Sequence, residues 1–215
     1  MLFELKKSFP DYYRYYGRRI AKRLSPSINN IFIKNFKNFS LDEEILKNLN
    51  SDQYKSLTLN SKFKKNIIEI GFGDGKHLFG LAQANKDTHF IGCEVFINGL
   101  GKALKKIVEN NLTNISLCGL NCLYLLENIK DSSIDKIFII NPDPWEKKRH
   151  FKRRLINKKF IALMYKKIKN GGKVFVTTDS SSYFLSILEI IRNEEIDFEE
   201  TVQKMLDKGD ELYDI

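Results

Sequence analysis

The residues best suited to chemistry lie in one short stretch, where a carboxylate and an indole stand beside a dense block of cations. The stretch is Asn141-Pro142-Asp143-Pro144-Trp145, directly after an apolar segment. Residues 147–159 then hold eight Lys or Arg and no Asp or Glu. So many unopposed charges repel one another unless an anion binds to them. The Asp143 carboxylate beside them predicts a site that acts on a polyanion, and nucleic acid is the most abundant polyanion in a cell.

Both features also have a purely structural interpretation. A Pro-Asp-Pro turn can simply end a strand, and a run of charges usually forms a solvated helix face. The prolines on either side of Asp143 would also hold its side chain in a fixed position, and the basic block supplies an anionic partner. We therefore favour a functional role for Asp143.

Composition and charge describe a folded protein with a basic surface. The chain has 215 residues, of which 42% are hydrophobic and 29% are charged, and its net charge is +9. This length is sufficient to bury a core. Residues 1–37 hold nine Lys or Arg against two acids, whereas residues 194–215 hold nine acids against two lysines. Two basic regions with an acidic tail favour a directed nucleic-acid footprint.

Several classes of protein are disfavoured by the sequence. No apolar run approaches the ~18 residues of a membrane span. Residues 1–7 become charged before a hydrophobic region forms, so we expect no secretory signal and a cytoplasmic protein. The cysteines, Cys93, Cys118 and Cys122, lack C-x-x-C spacing and predict small core residues in a reducing compartment, with no metal site.

From about residue 64, apolar runs alternate with segments of helical spacing. The predicted strands are 66–70, 89–94, 114–118, 134–140 and 173–178, and the predicted helices are 76–84, 98–110, 121–129, 155–169 and 181–192. Gly171-Gly172 is expected to cap the fourth of these helices. The alternation predicts an α/β fold, with a mostly parallel twisted sheet and helices on both faces.

The amino-terminal region is less regular. Residues 1–37 mix aromatic and basic side chains without a clear helical or strand period. Ser40 with Glu43 forms a capping box, which predicts a short helix near 41–49. We therefore divide the chain into a basic, aromatic extension over residues 1–50 and a larger domain over residues 51–215.

A glycine-rich loop follows the first predicted strand. Gly71, Gly73 and Gly75 allow the backbone to approach a ligand at the start of a helix. The dinucleotide pattern G-x-G-x-x-G requires a glycine where this chain has Lys76. Glu94 lies 23 residues after Gly71 and suits both hydroxyls of a ribose. The pattern predicts a nucleoside ligand, and the alternative is a helix-capping turn beside an exposed glutamate.

Two motifs resemble known families. The loop Glu69-x-Gly71-x-Gly73-x-Gly75 resembles that of Rossmann-like methyltransferases that bind S-adenosylmethionine (SAM). The stretch from Pro142 to Arg154 resembles the P-D-P-W-x-K-x-R-H-x-K-R-R signature of bacterial tRNA (guanine-N7-)-methyltransferases. Further agreement, in the same order, lies at residues 16–19, 90–94, 169–172 and 177–179. The resemblance covers most of residues 12–192.

This resemblance implies a fold, an activity and a set of site residues. The fold is a class I SAM-dependent methyltransferase, and the activity forms 7-methylguanosine in tRNA at position 46 of the variable loop. The implied catalytic residue is Asp143. Candidate cofactor contacts are Glu69, Gly71, Gly73, Gly75, Glu94, Asn121 and Asp143. Candidate tRNA contacts are Lys147, Arg149, His150, Lys152, Arg153, Arg154 and Asp179. SAM is the expected methyl donor and tRNA the expected partner, with no metal and no membrane. We expect a monomer, with a homodimer as the alternative.

The chemistry of the reaction accounts for these residue types. Guanine N7 has an in-plane lone pair and no proton, so methyl transfer requires alignment and charge stabilisation rather than a general base. Asp143 suits an acceptor for the N1 and N2 hydrogens, or a counter-charge. Asn121 stands where the family commonly has Asp, and it either accepts from the adenine amino group or caps a helix. Trp145 either stacks on a base or fills a gap in the packing.

The carboxyl-terminal region departs from the family pattern. Members of the family continue past the last helix with a strand pair that carries a T-[KR]-[FY]-E segment. Residues 199–204 lack this motif, which leaves open whether the strand pair is complete. One alternative is therefore a non-catalytic or weakened tRNA-binding relative. A methyltransferase for protein or small molecules would leave the basic block unexplained, and Lys76 disfavours an NAD-dependent oxidoreductase.

Overall fold

The computed structural model describes residues 16–21, 23–49, 56–57, 59 and 61–193. Its helices are α1 (Pro26–Phe39), α2 (Asp42–Leu49), α3 (Lys76–Ala84), α4 (Ile97–Glu109), α5 (Cys122–Asn128), α6 (Lys158–Lys167) and α7 (Ser181–Asn193). Its strands are β1 (Lys65–Ile70), β2 (Thr88–Cys93), β3 (Ile115–Cys118), β4 (Ile134–Ile140) and β5 (Ile168–Thr177). A 3-10 helix, Lys148–Arg153, lies between β4 and α6 in the chain.

The chain divides into two compact units. Of the described residues, the sheet unit comprises those within 1–140 and 163–176, and the loop unit comprises those within 141–162 and 177–193. The helices α1 and α2 belong to the sheet unit together with β1 to β4. The division of the chain at residue 50 stays a prediction.

The five strands form one sheet with the order β3-β2-β1-β4-β5. β1 runs parallel to β2 and β4, and β2 runs parallel to β3. At the start of β5, Ser132 and Ser133 donate backbone hydrogen bonds to Lys166 and Lys167, and at its end Asn141 donates to Thr177. β5 therefore runs in the same direction as β4. The parallel α/β fold predicted from the sequence is confirmed, and the strand order reverses beside β1, where such sheets bind ligands at their carboxyl ends.

Apolar periodicity explains why the sheet and its helices form. All six residues of β2 are buried, and Phe90 at its centre pairs with Ile67 of β1 and Ile115 of β3. A continuous buried strand of this kind is typical of a parallel sheet. α4 buries Leu100 and Leu104 among other residues on one face, at the spacing of an amphipathic helix.

Most predicted elements lie within three residues of the observed ones, and the exceptions have physical causes. α1 was not predicted at all. It begins where Ser25 accepts a hydrogen bond from the backbone of Ile28, and Pro26 occupies its first turn. α1 buries none of its residues completely, but Ile31, Phe32, Phe36 and Phe39 recur at helical spacing and pack against the core. This period was missed when residues 1–37 were described as irregular. α1 packs closely on α4, because a Cβ on Gly101 would lie 2.7 Å from Ile28.

The prediction that Gly171-Gly172 caps a helix is wrong. α6 ends at Lys167, and both glycines lie inside β5. The Lys167 ammonium is buried and donates to the carbonyl of Ile129 and the carboxylate of Asp131, which fixes the chain before the glycines are reached. Gly171 has a φ of +76°, a conformation that glycine adopts readily.

The start of α2 differs in detail from the predicted capping box. The Ser40 hydroxyl accepts from the backbone of Asp42 at 3.1 Å, while Glu43 lies 3.4 Å from the Lys37 ammonium. Residues 199–204, which lack the family's motif, lie outside the described residues, as do the rest of the acidic region 194–215 and the first 15 residues of the basic extension. Within the described ranges, no helix is both long and apolar enough to cross a membrane.

Candidate active site

The glycine loop of the sheet unit has the conformation that only its glycines favour. Gly71, Gly73 and Gly75 have φ values of +73°, +59° and +73°, in the left-handed region. The Gly71 N–H donates to the carbonyl of Cys93 at 2.8 Å, which ties the loop to the end of β2. A Cβ on Gly71 or Gly73 would meet no atom within 4 Å. One side of the loop backbone is therefore open to a ligand.

The opposite side of the loop is packed against α4. A Cβ on Gly99 would collide with the carbonyl oxygen of Gly73. A Cβ on Gly75 would lie 2.9 Å from the Cβ of Ala103. Side chains at these positions would displace the loop, so glycine is required for close approach as well as for conformation.

Glu94 holds this loop in place. It is 8% exposed, and its Oε2 accepts from the Gly73 N–H while Oε1 accepts from the Phe96 N–H, each at 2.8 Å. A carboxylate oxygen can accept more than one hydrogen bond, so these contacts are compatible with a ribose hydroxyl. The residues therefore fit the nucleoside portion of SAM: an open backbone cradle with a carboxylate at its edge. The cofactor contact itself stays a prediction.

Glu69 has a partner that sequence reasoning missed. Glu69 is 3% exposed, and its Oε2 lies 2.9 Å from Nδ1 of His77 in the first turn of α3. The His77 ring packs edge-on against Phe138 at 5.0 Å between centroids. His77 lies eight positions after Glu69, and only the turn of the glycine loop brings the two side chains together. No local signal in the sequence identifies this pair.

Asn121 caps a helix in this structure. Its side-chain oxygen accepts from the backbone of Leu123 at 3.0 Å, at the start of α5. The sequence left a helix cap and an adenine contact open. The cap is observed, and the adenine contact stays a prediction.

A buried carboxylate from α2 lies beside the loop between β3 and α5, and the sequence analysis did not identify it. Asp42 is 6% exposed, and its Oδ1 accepts from the Gly119 N–H at 2.9 Å. Burial raises the pKa of Asp42 to about 6, although the Gly119 N–H, the Cys118 and Ser40 side chains and the Arg19 charge act in the opposite direction. This acid lies 77 positions before Gly119 in the chain, so no spacing rule could place it here.

The three cysteines converge on the loop after β3. Cys93, Cys118 and Cys122 are buried and free, as predicted for small core residues. The pKa of Cys122 is raised to about 12, chiefly by burial, so this thiol is a poor nucleophile at neutral pH. Among the described residues, no group of three or more His, Cys, Asp or Glu side chains could hold a metal ion.

In the loop unit, the chain around Asp143 is fixed at both ends. Asn141 and Trp145 both have a φ of +46°. Such a conformation is uncommon outside glycine and requires local support. The Asn141 N–H donates to the Thr177 carbonyl, and the Thr177 hydroxyl donates to the Asn141 side chain, both at 3.1 Å. Asp143 is exposed between its two prolines. The loop therefore presents this carboxylate to solvent from a braced backbone.

Part of the basic block, Lys148–Arg153, forms a short 3-10 helix, and several cations of this segment are exposed. Lys147, Arg149 and Lys152 are exposed. The Arg149 Nε donates to His150 Nε2 at 3.4 Å, which assigns that nitrogen as an acceptor. Partial desolvation lowers the pKa of His150, as do the nearby charges of Arg153, Arg149 and Lys147. These effects favour the neutral form of the His150 imidazole.

Trp145 lies half-buried against this helix. The His150 ring contacts it edge-on at 5.7 Å between centroids, and the Arg153 guanidinium lies 5.0 Å from its centroid. Of the two roles open to Trp145, packing is observed. These two contacts also fix the end of the Asp143 loop.

Arg154 differs from the rest of the predicted tRNA-binding block. It is 5% exposed, and its guanidinium donates to the carbonyl of Pro144 and to Ser182. It also stacks on Phe151 and Tyr183, at 3.8 and 4.8 Å from the ring centroids. These contacts engage Arg154 inside the protein, which argues against a direct phosphate contact. Asp179, the remaining candidate, is exposed in the turn after β5.

Comparison with known proteins places the chain in a family. The model of a family described as putative methyltransferase matches residues 64–212. A tRNA (guanine-N(7)-)-methyltransferase from Wolbachia pipientis is 34% identical over 183 residues, which cover 85% of this chain and 75% of that protein. A bifunctional methyltransferase from Rickettsia prowazekii is 36% identical over 179 residues, which cover 83% of this chain. This chain spans only about a third of the length of such bifunctional relatives, 32% in that case.

A solved structure supports the fold. The precorrin-6y C5,15-methyltransferase of Geobacter metallireducens superposes with a TM-score of 0.50 over 63% of this chain and 65% of its own, at 13% sequence identity. This likeness supports the Rossmann-like class I methyltransferase fold that the family resemblance implied. The family match, the Wolbachia relative and the fold agree: the chain belongs to the bacterial tRNA (guanine-N7-)-methyltransferase family.

Proposed function

We propose that this protein transfers the methyl group of SAM to N7 of a guanosine in tRNA. The observation that carries the proposal is the exposed Asp143 on a braced loop, followed directly by an exposed cationic 3-10 helix. A carboxylate suits the guanine edge and the cations suit the phosphate backbone. The name of the Wolbachia relative supports the same reaction.

SAM supplies an electrophilic methyl group on a sulfonium. The residues proposed to hold it are Glu94, Glu69 and the open backbone of Gly71 and Gly73. Glu94 would accept from the ribose hydroxyls, and the carboxylate of Glu69 suits a cationic amino group. The packed side of the loop keeps this cradle in place without the ligand.

On the substrate side, the protein aligns the base rather than removing a proton. N7 of guanine carries none, so the proposed role of Asp143 is to accept hydrogen bonds from N1 and N2. Its negative charge also stabilises the positive charge that develops on the base during transfer. Lys147, Arg149 and Lys152 would contact phosphates, and each phosphate neutralised makes binding more sensitive to salt. We further propose that the protein acts on tRNA in the cytoplasm as a monomer, because one chain carries both sets of residues.

Methyl transfer from labelled SAM to unmodified tRNA tests this function. We expect label in 7-methylguanosine after digestion to nucleosides, and mapping of the product would locate the guanosine, with position 46 of the variable loop as the expected site. Label in another nucleoside, or only in protein, would overturn the proposal. S-adenosylhomocysteine binding measured by calorimetry separates an enzyme from a relative that only binds tRNA.

The role of Asp143 predicts a specific kinetic defect. Asp143→Asn keeps the size of the side chain and removes its charge, so we expect kcat to fall by about 100-fold or more. The dissociation constant for tRNA should change less than about twofold, since phosphate contacts supply most of the affinity. Asp87→Asn, an exposed carboxylate in the sheet unit, is the control. A fully active Asp143→Asn enzyme would disprove the assigned role.

A further inference from the structure

Four polar side chains of the loop unit form a connected network, which we call the clamp: Glu146, Arg154, Ser180 and Ser182. The Ser180 hydroxyl donates to Glu146 Oε1 at 2.5 Å, and the Ser182 hydroxyl donates to Glu146 Oε2 at 3.3 Å. The Ser182 hydroxyl also accepts from Arg154 Nη2 at 3.0 Å. Arg154 completes the network by donating from Nε to the Pro144 carbonyl at 2.8 Å.

The clamp joins two segments that each carry an exposed carboxylate. Pro144, which accepts from Arg154, directly follows Asp143 in the chain. Ser180, which donates to Glu146, directly follows Asp179. The Ser180 N–H is itself held by the Thr178 hydroxyl at 3.2 Å. Both carboxylates therefore stand one residue from an atom that the clamp fixes.

The burial of Arg154 makes the clamp specific to arginine. A buried cation is tolerated when it is well hydrogen-bonded and faces a counter-charge. Arg154 donates to a carbonyl on one loop and to Ser182 on another, and its plane stacks on Tyr183. Glu146 provides the opposite charge through Ser182. A lysine has a single nitrogen and cannot reproduce this fork of donors.

We propose that the clamp positions Asp143 and Asp179 relative to one another for the guanine base, and that Arg154 acts through Pro144 and Ser182 rather than on tRNA phosphate. This inference rests on the proposed function. It separates Arg154 from Lys147, Arg149 and Lys152, whose side chains are exposed. It also gives a role to Glu146, which occupies a variable position of the signature and is the only acid between Asp143 and Lys159.

The test compares turnover with the salt dependence of tRNA binding in the full chain. For Arg154→Met we expect kcat to fall by about 10-fold or more, and for Ser182→Ala by about 3-fold. In both variants the KM for tRNA should stay within about twofold of the wild-type value. The slope of log affinity against log salt should stay unchanged in Arg154→Met, whereas a lost phosphate contact would reduce it by about 0.7 to 0.9. Glu146→Gln, which still accepts from a serine, should retain more activity than Glu146→Ala.

Ser181→Ala is the matched control, because Ser181 is exposed and lies between the two serines of the clamp. It should leave kcat unchanged. If Arg154→Met melts below the assay temperature, Ser182→Ala and the Glu146 pair still decide the question. An inactive wild-type protein would overturn the proposed function itself. If the wild type is active, two results would overturn the role of the clamp alone. One is an unchanged kcat in both Ser182→Ala and Glu146→Ala, and the other is a reduced salt slope in Arg154→Met.

Discussion

Glu94 has two roles in the sheet unit: it holds the glycine loop, and it is a proposed contact for the cofactor. It accepts from two backbone N–H groups, which shapes the glycine loop, and it is the residue expected to meet the ribose. A substitution of Glu94 should therefore affect both the conformation of the loop and the affinity for the cofactor. The two effects can be measured separately.

Glu94→Gln should weaken cofactor binding and loosen the loop. A glutamine has one acceptor oxygen, so one of the two backbone donors would face an NH₂ group and lose its partner, at a cost of about 1–3 kcal/mol. We expect the affinity for S-adenosylhomocysteine, measured by calorimetry, to fall by about 10-fold or more. Glu109→Gln, on the exposed end of α4, serves as the control. Unchanged affinity in Glu94→Gln would contradict the assignment.

Asp42 predicts a pH-dependent stability. Because its pKa is raised from 3.8 to about 6 on folding, the folded protein holds this proton more tightly than the unfolded chain does. The stability contributed by the protonated acid is fully present below pH 3.8 and is lost as the pH rises through about 6. A shift of about two pKa units corresponds to at most about 3 kcal/mol.

Asp42→Asn should therefore raise the melting temperature at pH 8 and change it little near pH 4. The asparagine keeps an acceptor for the Gly119 N–H and carries no charge to bury. Thermal melts of both proteins across this range measure the difference, with the exposed Asp87→Asn as the control. A variant less stable than wild type at pH 8 would show that the ionised Asp42 stabilises the fold.

The positions of Glu69, Glu94 and Asp143 at or just beyond strand ends could be predicted, because chain spacing fixes them. The contact of Asp42 could not, since its partner Gly119 lies 77 positions away in the chain. The pair of Glu69 and His77 could not either, because only the turn of the glycine loop brings the two side chains together. The internal role of Arg154 was also hidden. In the sequence it is one cation among eight, and only its burial distinguishes it.

Among the elements, the 3-10 helix Lys148–Arg153 is expected to contribute most clearly to tRNA binding. Its exposed cations should contact phosphates, so Arg149→Ala combined with Lys152→Ala should reduce the salt slope of tRNA binding by about 1.4 to 1.8. Filter binding at several salt concentrations measures this slope. The double variant Lys102→Ala with Lys166→Ala removes two exposed lysines of the sheet unit and is the control. Equal slopes in the two double variants would place the tRNA elsewhere.

Element prediction succeeded where apolar periodicity is strong. β4 was predicted with the observed bounds, and α3 likewise, because buried residues mark both clearly. α1 was missed although Ile31, Phe32, Phe36 and Phe39 recur at helical spacing, because the basic and aromatic residues before it have no regular period. The start of β5 was placed too late, because Gly171-Gly172 was interpreted as a helix cap although both glycines lie inside the strand.

For the whole molecule, the distribution of charge predicts that cofactor binding and tRNA binding depend differently on salt. The proposed cofactor residues lie in the sheet unit and rely on backbone groups and carboxylates, whereas the proposed tRNA contacts rely on cations. Raising salt from about 50 to about 200 mM should weaken tRNA binding by orders of magnitude. It should leave S-adenosylhomocysteine affinity within about twofold. Equal salt sensitivity of the two ligands, measured by calorimetry and filter binding, would contradict this separation.

The glycine loop has a thermodynamic consequence. Gly75 and Gly99 press it against α4 on one side, while Gly71 and Gly73 leave the other side open. A backbone that is already held has little conformational entropy left to lose when a ligand arrives. Binding of the nucleoside should therefore proceed without an ordering penalty in the protein. The heat capacity change would then reflect only the apolar surface that the ligand itself covers.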